Sequence, residues 1–282
     1  MPEVPLPDTF VWAHYPWGPA IRCRALDGLA DHCFTTRAPV IGSGPLAPGD
    51  GWHRVARSMG ISPRAIVRLR QVHGTRVVSL RRQHAFPPEA PDWNVGDIAA
   101  SDHPGVALCV KVADCVPILL ADARSGSVAA VHAGWRGTAA GAARSAVEAL
   151  CEHFGSAPGD LVAAIGPSIG PCCYRVGRDV RAAFEAAAAW DGSLAAWFGA
   201  SPRDRPRHGV PGTDPTASGG GQALFLDTWT ANADQLRAAG VPATQIHLSR
   251  ICTSCHRETF HSYRVEGERS GRMIGIIKPR AT

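Results

Sequence analysis

The chain has 282 residues, of which 45% are hydrophobic, so it can bury a large core in one domain or two. It contains no run of about 18 apolar residues, which argues against a membrane span. The net charge of +5 comes from scattered residues and lacks the clustered basic and aromatic side chains of a nucleic-acid-binding stripe. The sequence also lacks a secretory signal, so we expect a cytoplasmic protein.

The apolar pattern along the chain predicts strands alternating with helices. The expected strands are 33–37, 65–74, 75–80, 106–112, 116–122, 127–133, 161–166, 245–250, 260–264 and 272–277. The expected helices are 50–60, 138–155, 178–190 and 227–240. We also expect 65–74 to form a hairpin with 75–80 and residues 84–105 to form a loop. Thr138 is placed to cap the start of the helix over 138–155.

These elements predict an α/β (α+β-like) fold, with mixed β-sheets flanked by helices in one layered domain. The domain is expected to span 1–282, with an N-terminal extension over 1–29 and an exposed loop over 201–221. The strands 106–112 and 116–122 are almost continuously apolar, which is typical of strands covered on both faces.

The nine cysteines are an odd number, which argues against complete disulfide pairing in a reducing compartment. The adjacent pair Cys172 and Cys173 is therefore expected to be reduced. The segment "CTSCH" (252–256) matches the C-x-x-C-H pattern of haem attachment, but that reaction requires export. A metal clip of Cys252, Cys255 and His256 is the more plausible alternative.

Three residues at predicted strand ends form the first candidate site. His73 lies in "RQVHG", Cys115 in "VADCVP" and His132 in "AVHAGWRG". Two imidazoles and one thiolate would suit zinc and also copper, and three protein ligands leave a position for water, as in catalytic zinc sites. Spacing alone favours the alternative of a buried cysteine and two hydrogen-bonded histidines.

Five motifs in one order along the chain carry a resemblance to a known family: "RQVHG", "GDIAASDHPGVALCVKVADCVPILLAD", "AVHAGWRGTAAG", "IGPSIGPCCY" and "FHSYR…GRMIGII". From about residue 30 to 277 the chain resembles the laccase-domain, or multicopper polyphenol oxidoreductase, family. That family is also labelled peptidoglycan editing factor, and its members are described as purine nucleoside phosphorylases with adenosine deaminase activity. The resemblance implies a fold similar to the toxin deamidases and a zinc ion on His73, Cys115 and His132.

The resemblance implies a zinc-dependent enzyme that cleaves adenosine or inosine with inorganic phosphate and also deaminates adenosine. A true laccase centre needs several coppers held by many histidines, so the oxidase label is physically weak. One alternative is a cysteine hydrolase with Cys115 as nucleophile and His73 or His132 as base. Another is a cell-wall editing factor without turnover, although the sequence indicates no protein partner.

Three residues are candidates for catalysis beside the metal. Arg136 precedes a predicted helix and could bind an anion, or form a structural ion pair. Asp114 adjoins Cys115 and could act as general acid and base, or orient a ligand. Tyr174 could stack on or hydrogen-bond a base, or be a half-buried loop residue.

Three further residues are candidates for substrate binding. Gln71 is one strand period from His73 and should point the same way. Arg264 and Arg272 could bind phosphate or only line the surface. The chain departs from the family at Arg175, where members usually carry an acidic residue, and that puts substrate preference in doubt.

Overall fold

The computed structural model describes residues 4–38, 51–83, 86, 92–187, 194–203 and 224–280. Most of the predicted 201–221 loop lies outside these residues. The strands are Phe10–Tyr15 (β1), Gly18–Cys23 (β2), Ala30–Thr35 (β3), Ile66–Arg68 (β4), Val77–Leu80 (β5), Ile98–Ser101 (β6), Ala107–Val112 (β7), Val116–Asp122 (β8), Val128–Ala133 (β9), Leu161–Ile165 (β10), Arg175–Val176 (β11), Phe198–Gly199 (β12), Leu224–Leu226 (β13), Ile246–Leu248 (β14) and Met273–Pro279 (β15). The helices are Gly51–Ser58 (α1), Trp135–Ala140 (α2), Ala142–Phe154 (α3), Arg178–Ala186 (α4), Leu194–Trp197 (α5), Thr228–Ala238 (α6) and Tyr263–Glu266 (α7).

Among the described residues, two six-stranded sheets form the centre of the fold. The first sheet has the order β1-β2-β3-β15-β7-β4, and the second has the order β14-β10-β8-β9-β6-β5. Most neighbours are antiparallel, but β4–β7, β10–β14 and β5–β6 are parallel. The prediction of mixed sheets flanked by helices is therefore confirmed. A smaller three-stranded sheet, β11-β13-β12, lies beside α4 and α5.

The two large sheets pack face to face, and helices cover their outer faces. Along β8, Leu119 and Ala121 join the core between the sheets, whereas Ile118 and Leu120 join the core beneath α3 and α6. This alternation follows from the two-residue period of a strand. Because both faces are covered, every residue of β8 is buried, and each large apolar side chain there contributes roughly 1.5–3 kcal/mol. The helix α1 covers the first sheet in the same way.

Three expectations about where strands lie and how they pair are wrong. Segments 65–74 and 75–80 do not form a hairpin, because β4 pairs with β7 in the first sheet and β5 pairs with β6 in the second. Local alternation identifies a strand but does not specify its partner. The expected loop over 84–105 contains β6, and the expected strand over 260–264 is replaced by turns and the start of α7.

Residues 10–23 of the predicted extension lie within the first sheet, since β1 and β2 pair with each other and β2 pairs with β3. The expected helix over 138–155 is two helices, because Gly141 adopts a left-handed φ of 92° between α2 and α3. Its amino-terminal cap is Gly134 rather than Thr138, whose hydroxyl accepts a hydrogen bond from Asn232. None of the described helices combines the length and the apolarity needed to cross a membrane.

The side chain of Asp227 caps the amino-terminal end of α6. The first residue of this helix, Thr228, lines the cavity beside the candidate site. The Asp227 carboxylate accepts hydrogen bonds from the Thr230 backbone N–H at 3.0 Å and the Thr230 hydroxyl at 2.8 Å. We predict that Asp227→Ala lowers the free energy of unfolding by about 1 kcal/mol, because the helix loses its cap. Denaturant unfolding measures this loss. The exposed helical control Glu152→Ala should change stability by less than about 0.5 kcal/mol, and equal effects would refute the assignment.

Candidate functional site

Three elements bring His73, Cys115 and His132 to one point, as predicted. His73 lies in the crossing between β4 and β5, Cys115 immediately precedes β8, and His132 lies in β9, paired with Pro117. One ligand atom from each residue lies within 4.8 Å of those of the other two. The two imidazole rings meet edge to face, with centroids 4.9 Å apart.

A buried carboxylate, Asp97, holds both histidines. Its oxygens accept hydrogen bonds from the backbone N–H groups of Val72 (3.1 Å), His73 (2.9 Å) and Gly74 (2.8 Å). They also accept one from Nδ1 of His132 at 2.8 Å. His73 has a left-handed φ of 63°, a conformation that costs a residue other than glycine free energy, and these backbone bonds hold it. A carboxylate on Nδ1 leaves Nε2 of His132 free to bind a metal.

Sequence reasoning did not identify Asp97, although it lies within the quoted motif "GDIAASDHPG". The available signal was an acidic residue directly before an apolar segment, now β6. Burial raises the pKa of Asp97, but the hydrogen bonds from His132 and from the backbone outweigh it and lower the pKa below its usual value. The carboxyl group therefore stays ionised at neutral pH.

The electrostatics of Cys115 and His132 are coupled. Burial raises the pKa of the Cys115 thiol, but the charges and hydrogen bonds of His132 and His73 outweigh it and lower the pKa to about 6. Burial lowers the pKa of His132, but Cys115 and Asp97 outweigh it and raise the pKa to about 9. Without a metal, a thiolate therefore faces an imidazolium at neutral pH, and a metal ion would displace that proton.

A glycine leaves room for the three ligands to meet. A Cβ atom on Gly134 would lie 2.8 Å from Cδ2 of His73 and 3.1 Å from the Sγ of Cys115. Both distances are too short for ordinary contact, so a side chain here would displace the candidate ligands. Steric hindrance by His73 and Cys115 therefore explains why the first glycine of "HAGWRG" has no side chain.

The donor set fits zinc. Two imidazole nitrogens and one thiolate form a borderline-soft set that suits zinc, and copper as a second choice. His132 is buried, Cys115 is half-buried and His73 is exposed, so the cluster is open on one side. An open side is the arrangement of catalytic rather than structural zinc sites. Binding of a metal here stays a prediction.

Two cavities meet at the cluster, and His73 and Cys115 line both. The first cavity, of about 240 Å³, has largely apolar and aromatic walls, and two arginines also line it. Its walls include Trp135, Arg136, Ile169, Tyr174 and Arg264. The guanidinium of Arg264 lies 5.3 Å from the centroid of the Tyr174 ring and also donates a hydrogen bond to the Arg175 carbonyl.

The second cavity, of about 500 Å³, is strongly basic. Arg70, Lys111 and Arg272 line it together with Gln71. These cations would favour an anionic group of a substrate close to the cluster. Tyr263 borders both cavities and is 50% exposed, which places it between them. Sequence reasoning missed Tyr263 and Lys111, which carry no local pattern.

Of the residues predicted beside the metal, Asp114, Arg136, Tyr174 and Arg264 line the first cavity, and Gln71 and Arg272 line the second. Their roles stay predictions. Gln71 and His73 both line the second cavity, as expected, but not because of a strand period, since β4 ends at Arg68. The Gln71 amide donates to the Lys111 carbonyl and accepts from the Lys111 N–H, each at 2.8 Å.

The Asp114 carboxylate is engaged with the carboxy-terminal part of the chain. It accepts hydrogen bonds from the Thr253 hydroxyl (2.6 Å), the Ser262 hydroxyl (3.1 Å) and the Arg264 N–H (2.6 Å). Burial raises the pKa of Asp114, although these hydrogen bonds oppose the shift. Asp114 thereby fixes the segment that carries Tyr263 and Arg264 against the cavity.

The family of the chain follows from comparison with known proteins. Residues 50–280 match the profile of the family described as multi-copper polyphenol oxidoreductase laccase. Since this match covers most of the chain, the protein belongs to that family, as the motifs indicated.

Curated relatives carry names that refer to nucleoside chemistry. A purine nucleoside phosphorylase of Bacteroides thetaiotaomicron is 36% identical over 181 residues, which are 64% of this chain and 60% of that relative. A purine nucleoside phosphorylase of Deinococcus radiodurans is 33% identical over 267 residues, or 90% of this chain and 91% of the relative. Adenosine deaminase RL5, from an unknown prokaryotic organism, is 31% identical and covers 90% of each chain.

Solved structures share the fold. Hypothetical protein YfiH of Bacillus licheniformis superimposes with a TM-score of 0.75 at 25% identity, covering 93% of this chain and 96% of the other. YlmD of Geobacillus stearothermophilus superimposes with a TM-score of 0.73 at 30% identity, covering 98% and 100%. The two-sheet architecture is therefore that of the family.

The role of Asp97 can be tested with an isosteric change. An asparagine offers one acceptor oxygen in place of two, so Asp97→Asn should leave backbone donors unpaired and His132 poorly oriented. We predict a 10- to 100-fold loss of zinc affinity, roughly the effect of losing such a partner. Competition against a chromogenic chelator measures it. Asp102→Asn is the control, because its carboxylate accepts a hydrogen bond from the Arg82 N–H and does not contact the cluster. Unchanged zinc affinity in a folded Asp97→Asn protein would contradict the role of Asp97 in orienting the ligands.

Proposed function

We propose that the protein is a zinc-dependent purine nucleoside enzyme, which cleaves adenosine or inosine with phosphate and also deaminates adenosine. One observation carries the proposal: His73 and Cys115 line both an aromatic cavity and a basic one. The aromatic cavity also carries the guanidinium groups of Arg136 and Arg264, so a nucleoside and an anion can both reach the cluster there, and the basic cavity gives an anion a second approach. The names of the relatives support purine nucleosides as the substrate class.

The proposed metal ligands are His73, Cys115 and His132. When bound, zinc would supply Lewis-acid activation of water or of a substrate oxygen. The protein would orient these ligands through Asp97, which fixes the His73 backbone and the His132 ring. Gly134 keeps the space between them clear.

In phosphorolysis, a phosphate oxygen bonds to C1′ of the ribose while the bond from C1′ to the purine breaks. The purine leaves with the bonding electrons and takes up a proton, and ribose 1-phosphate remains. We assign the phosphate to Arg136 and Arg264, with Arg272 on the side of the basic cavity, since guanidinium groups bind phosphate with two parallel hydrogen bonds. Tyr174 would hold the purine in the same cavity by stacking.

Asp114 and Gln71 fit positioning roles in this scheme. All three contacts of Asp114 fix the carboxy-terminal segment, and they occupy both carboxylate oxygens. Proton transfer by this group is therefore the weaker assignment. Gln71 holds the Lys111 backbone and thereby shapes the basic cavity. In deamination, water would add to C6 of adenine in the aromatic cavity, and ammonia would leave.

The activity can be tested directly on zinc-loaded protein. Incubation with adenosine and phosphate should yield adenine, inosine, hypoxanthine and ribose 1-phosphate, resolved by chromatography. We predict that Cys115→Ala lowers the rates of phosphorolysis and of deamination about 100-fold or more. Removing a metal ligand should reduce activity more than removing the hydrogen-bond partner of a ligand, which costs about 10- to 100-fold. Cys151→Ala, on α3, is the matched control and should retain activity. Absence of turnover of any purine nucleoside by fully metallated protein would refute the proposal.

The phosphate assignment predicts a separable kinetic effect. We expect Arg136→Gln to raise the KM for phosphate about 10- to 100-fold, the equivalent of a charge-assisted hydrogen bond of roughly 1.5–3 kcal/mol. Deamination of adenosine does not use phosphate, so its rate should change much less. Arg144→Gln, which removes an exposed partner of Glu148, is the control. An unchanged KM for phosphate in Arg136→Gln would place the anion elsewhere.

A second candidate function is a cysteine hydrolase, favoured by one observation. The pKa of Cys115 is lowered to about 6 and that of His132 is raised to about 9, as in a thiolate–imidazolium pair. The two functions separate by metal analysis. Loss of one zinc equivalent per chain on going from the unaltered protein to Cys115→Ala would contradict a free nucleophile. Rapid alkylation of Cys115 in active protein whose His73–Cys115–His132 cluster holds no metal would contradict the zinc enzyme.

The ligand inventory argues against polyphenol oxidation. Within the described part of the chain, the side-chain groups able to hold a metal are this cluster and a second one made of cysteines alone. A laccase centre needs several coppers bound by many histidines. This inventory therefore supports nucleoside chemistry over the oxidase function that the family label suggests.

A further inference from the structure

Four cysteines converge at a second point in the fold, apart from the candidate ligands. The Sγ atoms of Cys172, Cys173, Cys252 and Cys255 all lie within 4.8 Å of one another. The Sγ of Cys255 lies 3.6 Å from that of Cys172 and 3.4 Å from that of Cys173. In a tetrahedral zinc site with Zn–S bonds of 2.3 Å, neighbouring sulfurs lie about 3.8 Å apart. The observed separations are close to that value.

Packing alone does not account for this arrangement. Buried thiols usually act as separate small hydrophobes, and the apolar residues around these four offer no reason for the sulfurs to meet. A disulfide is a poor fit too, because a sulfur–sulfur bond is about 2.05 Å long and every described cysteine is a free thiol. Four convergent thiols of this kind are the donor set of a closed, structural zinc site.

Two turns build the cluster. One is the turn at 171–173, and the other contains the C-x-x-C segment from Cys252 to Cys255. The backbone N–H of Gly170 donates to the Sγ of Cys252 at 3.3 Å, a bond that stabilises a thiolate. The sequence-based alternative of a clip that includes His256 is wrong in its third member, because the cluster is completed by the adjacent pair Cys172 and Cys173.

We propose that Cys172, Cys173, Cys252 and Cys255 bind one structural zinc ion. Cys172, Cys252 and Cys255 are buried in the core beneath α3 and α6, and Cys173 packs against it. With four protein ligands the site has no position for substrate, so its role is to fasten two segments of the chain. This proposal does not depend on zinc at the first cluster.

One of the two fastened segments forms a wall of the candidate active site, and the other holds a residue of that wall. The first carries Ile169 and Tyr174, which line the aromatic cavity. The second carries Thr253, whose hydroxyl donates to Asp114 at 2.6 Å. The Ile169 N–H donates to the Asp114 carbonyl at 3.0 Å. Zinc at the cluster would therefore hold the wall containing Tyr174 against the residue that precedes Cys115.

The test compares zinc content in full-length variants purified under reducing conditions. Cys115→Ala removes a ligand of the first cluster only and should retain about one zinc per chain, the content of a single four-thiolate site. The double variant Cys115→Ala/Cys255→Ser should lose this zinc. Adding Cys151→Ser to Cys115→Ala is the matched control, because Cys151 lies outside the cluster, and it should retain the zinc.

Two further measurements do not require the double variant to fold. In Cys115→Ala protein loaded with cobalt, the tetrathiolate site should show visible absorption and charge-transfer bands of tetrahedral cobalt with sulfur ligands. Iodoacetamide should alkylate the four cluster cysteines only after chelator is added, and the chelator should lower the Tm. Zinc-free Cys115→Ala protein with four freely alkylated cysteines would overturn the proposal. The proposal would also be overturned if intact-mass spectrometry gave a mass two hydrogens below that of the fully reduced chain, because of a disulfide between two of the cluster cysteines.

Discussion

The candidate site depends on the buried carboxylate of Asp97. It lies between the crossing that carries His73 and the strand that carries His132, and it binds backbone in one and a ring nitrogen in the other. A buried charge is costly unless hydrogen bonds satisfy it. Here four donors do so, and each is therefore fixed in return. The left-handed backbone of His73 and the orientation of His132 both follow from this one group.

The second constraint is the gap between the two sheets. The chain crosses it between β4 and β5, where His73 lies, and again between β7 and β8, where Asp114 and Cys115 lie. Strands in the packed interior hold these short crossings in place, and an isolated β-bridge between Arg70 and Val95 pairs the first of them with the segment before β6. Such a junction can present reactive side chains to solvent from a rigid frame. Cavities form on both sides of the same crossings.

Sequence reasoning succeeded where local pattern and chemistry coincide. The apolar runs of β7 and β8 predicted buried strands, and the motifs led to the trio of His73, Cys115 and His132. It failed where partners are distant. Nothing local shows that β4 and β5 belong to different sheets, that Asp97 bonds His132, or that Cys172 meets Cys255. The same limit explains why the hydrogen bonds of Gln71 were not predicted, since its side-chain amide bonds the backbone of Lys111, 40 residues away in the sequence.

The position of β15 has a consequence for biosynthesis. Of the described strands β15 comes latest in the sequence, yet it lies in the middle of the first sheet, between β3 and β7, rather than at its edge. Until the ribosome releases residues 273–279, β3 and β7 each present an unpaired edge, and such edges favour association with other chains. The Asp114 carboxylate likewise lacks its hydrogen-bond donors until Thr253, Ser262 and Arg264 have been synthesised. A nascent chain would therefore need protection until these residues emerge, and a chain interrupted before residue 253 would lack both a closed sheet and a finished cavity.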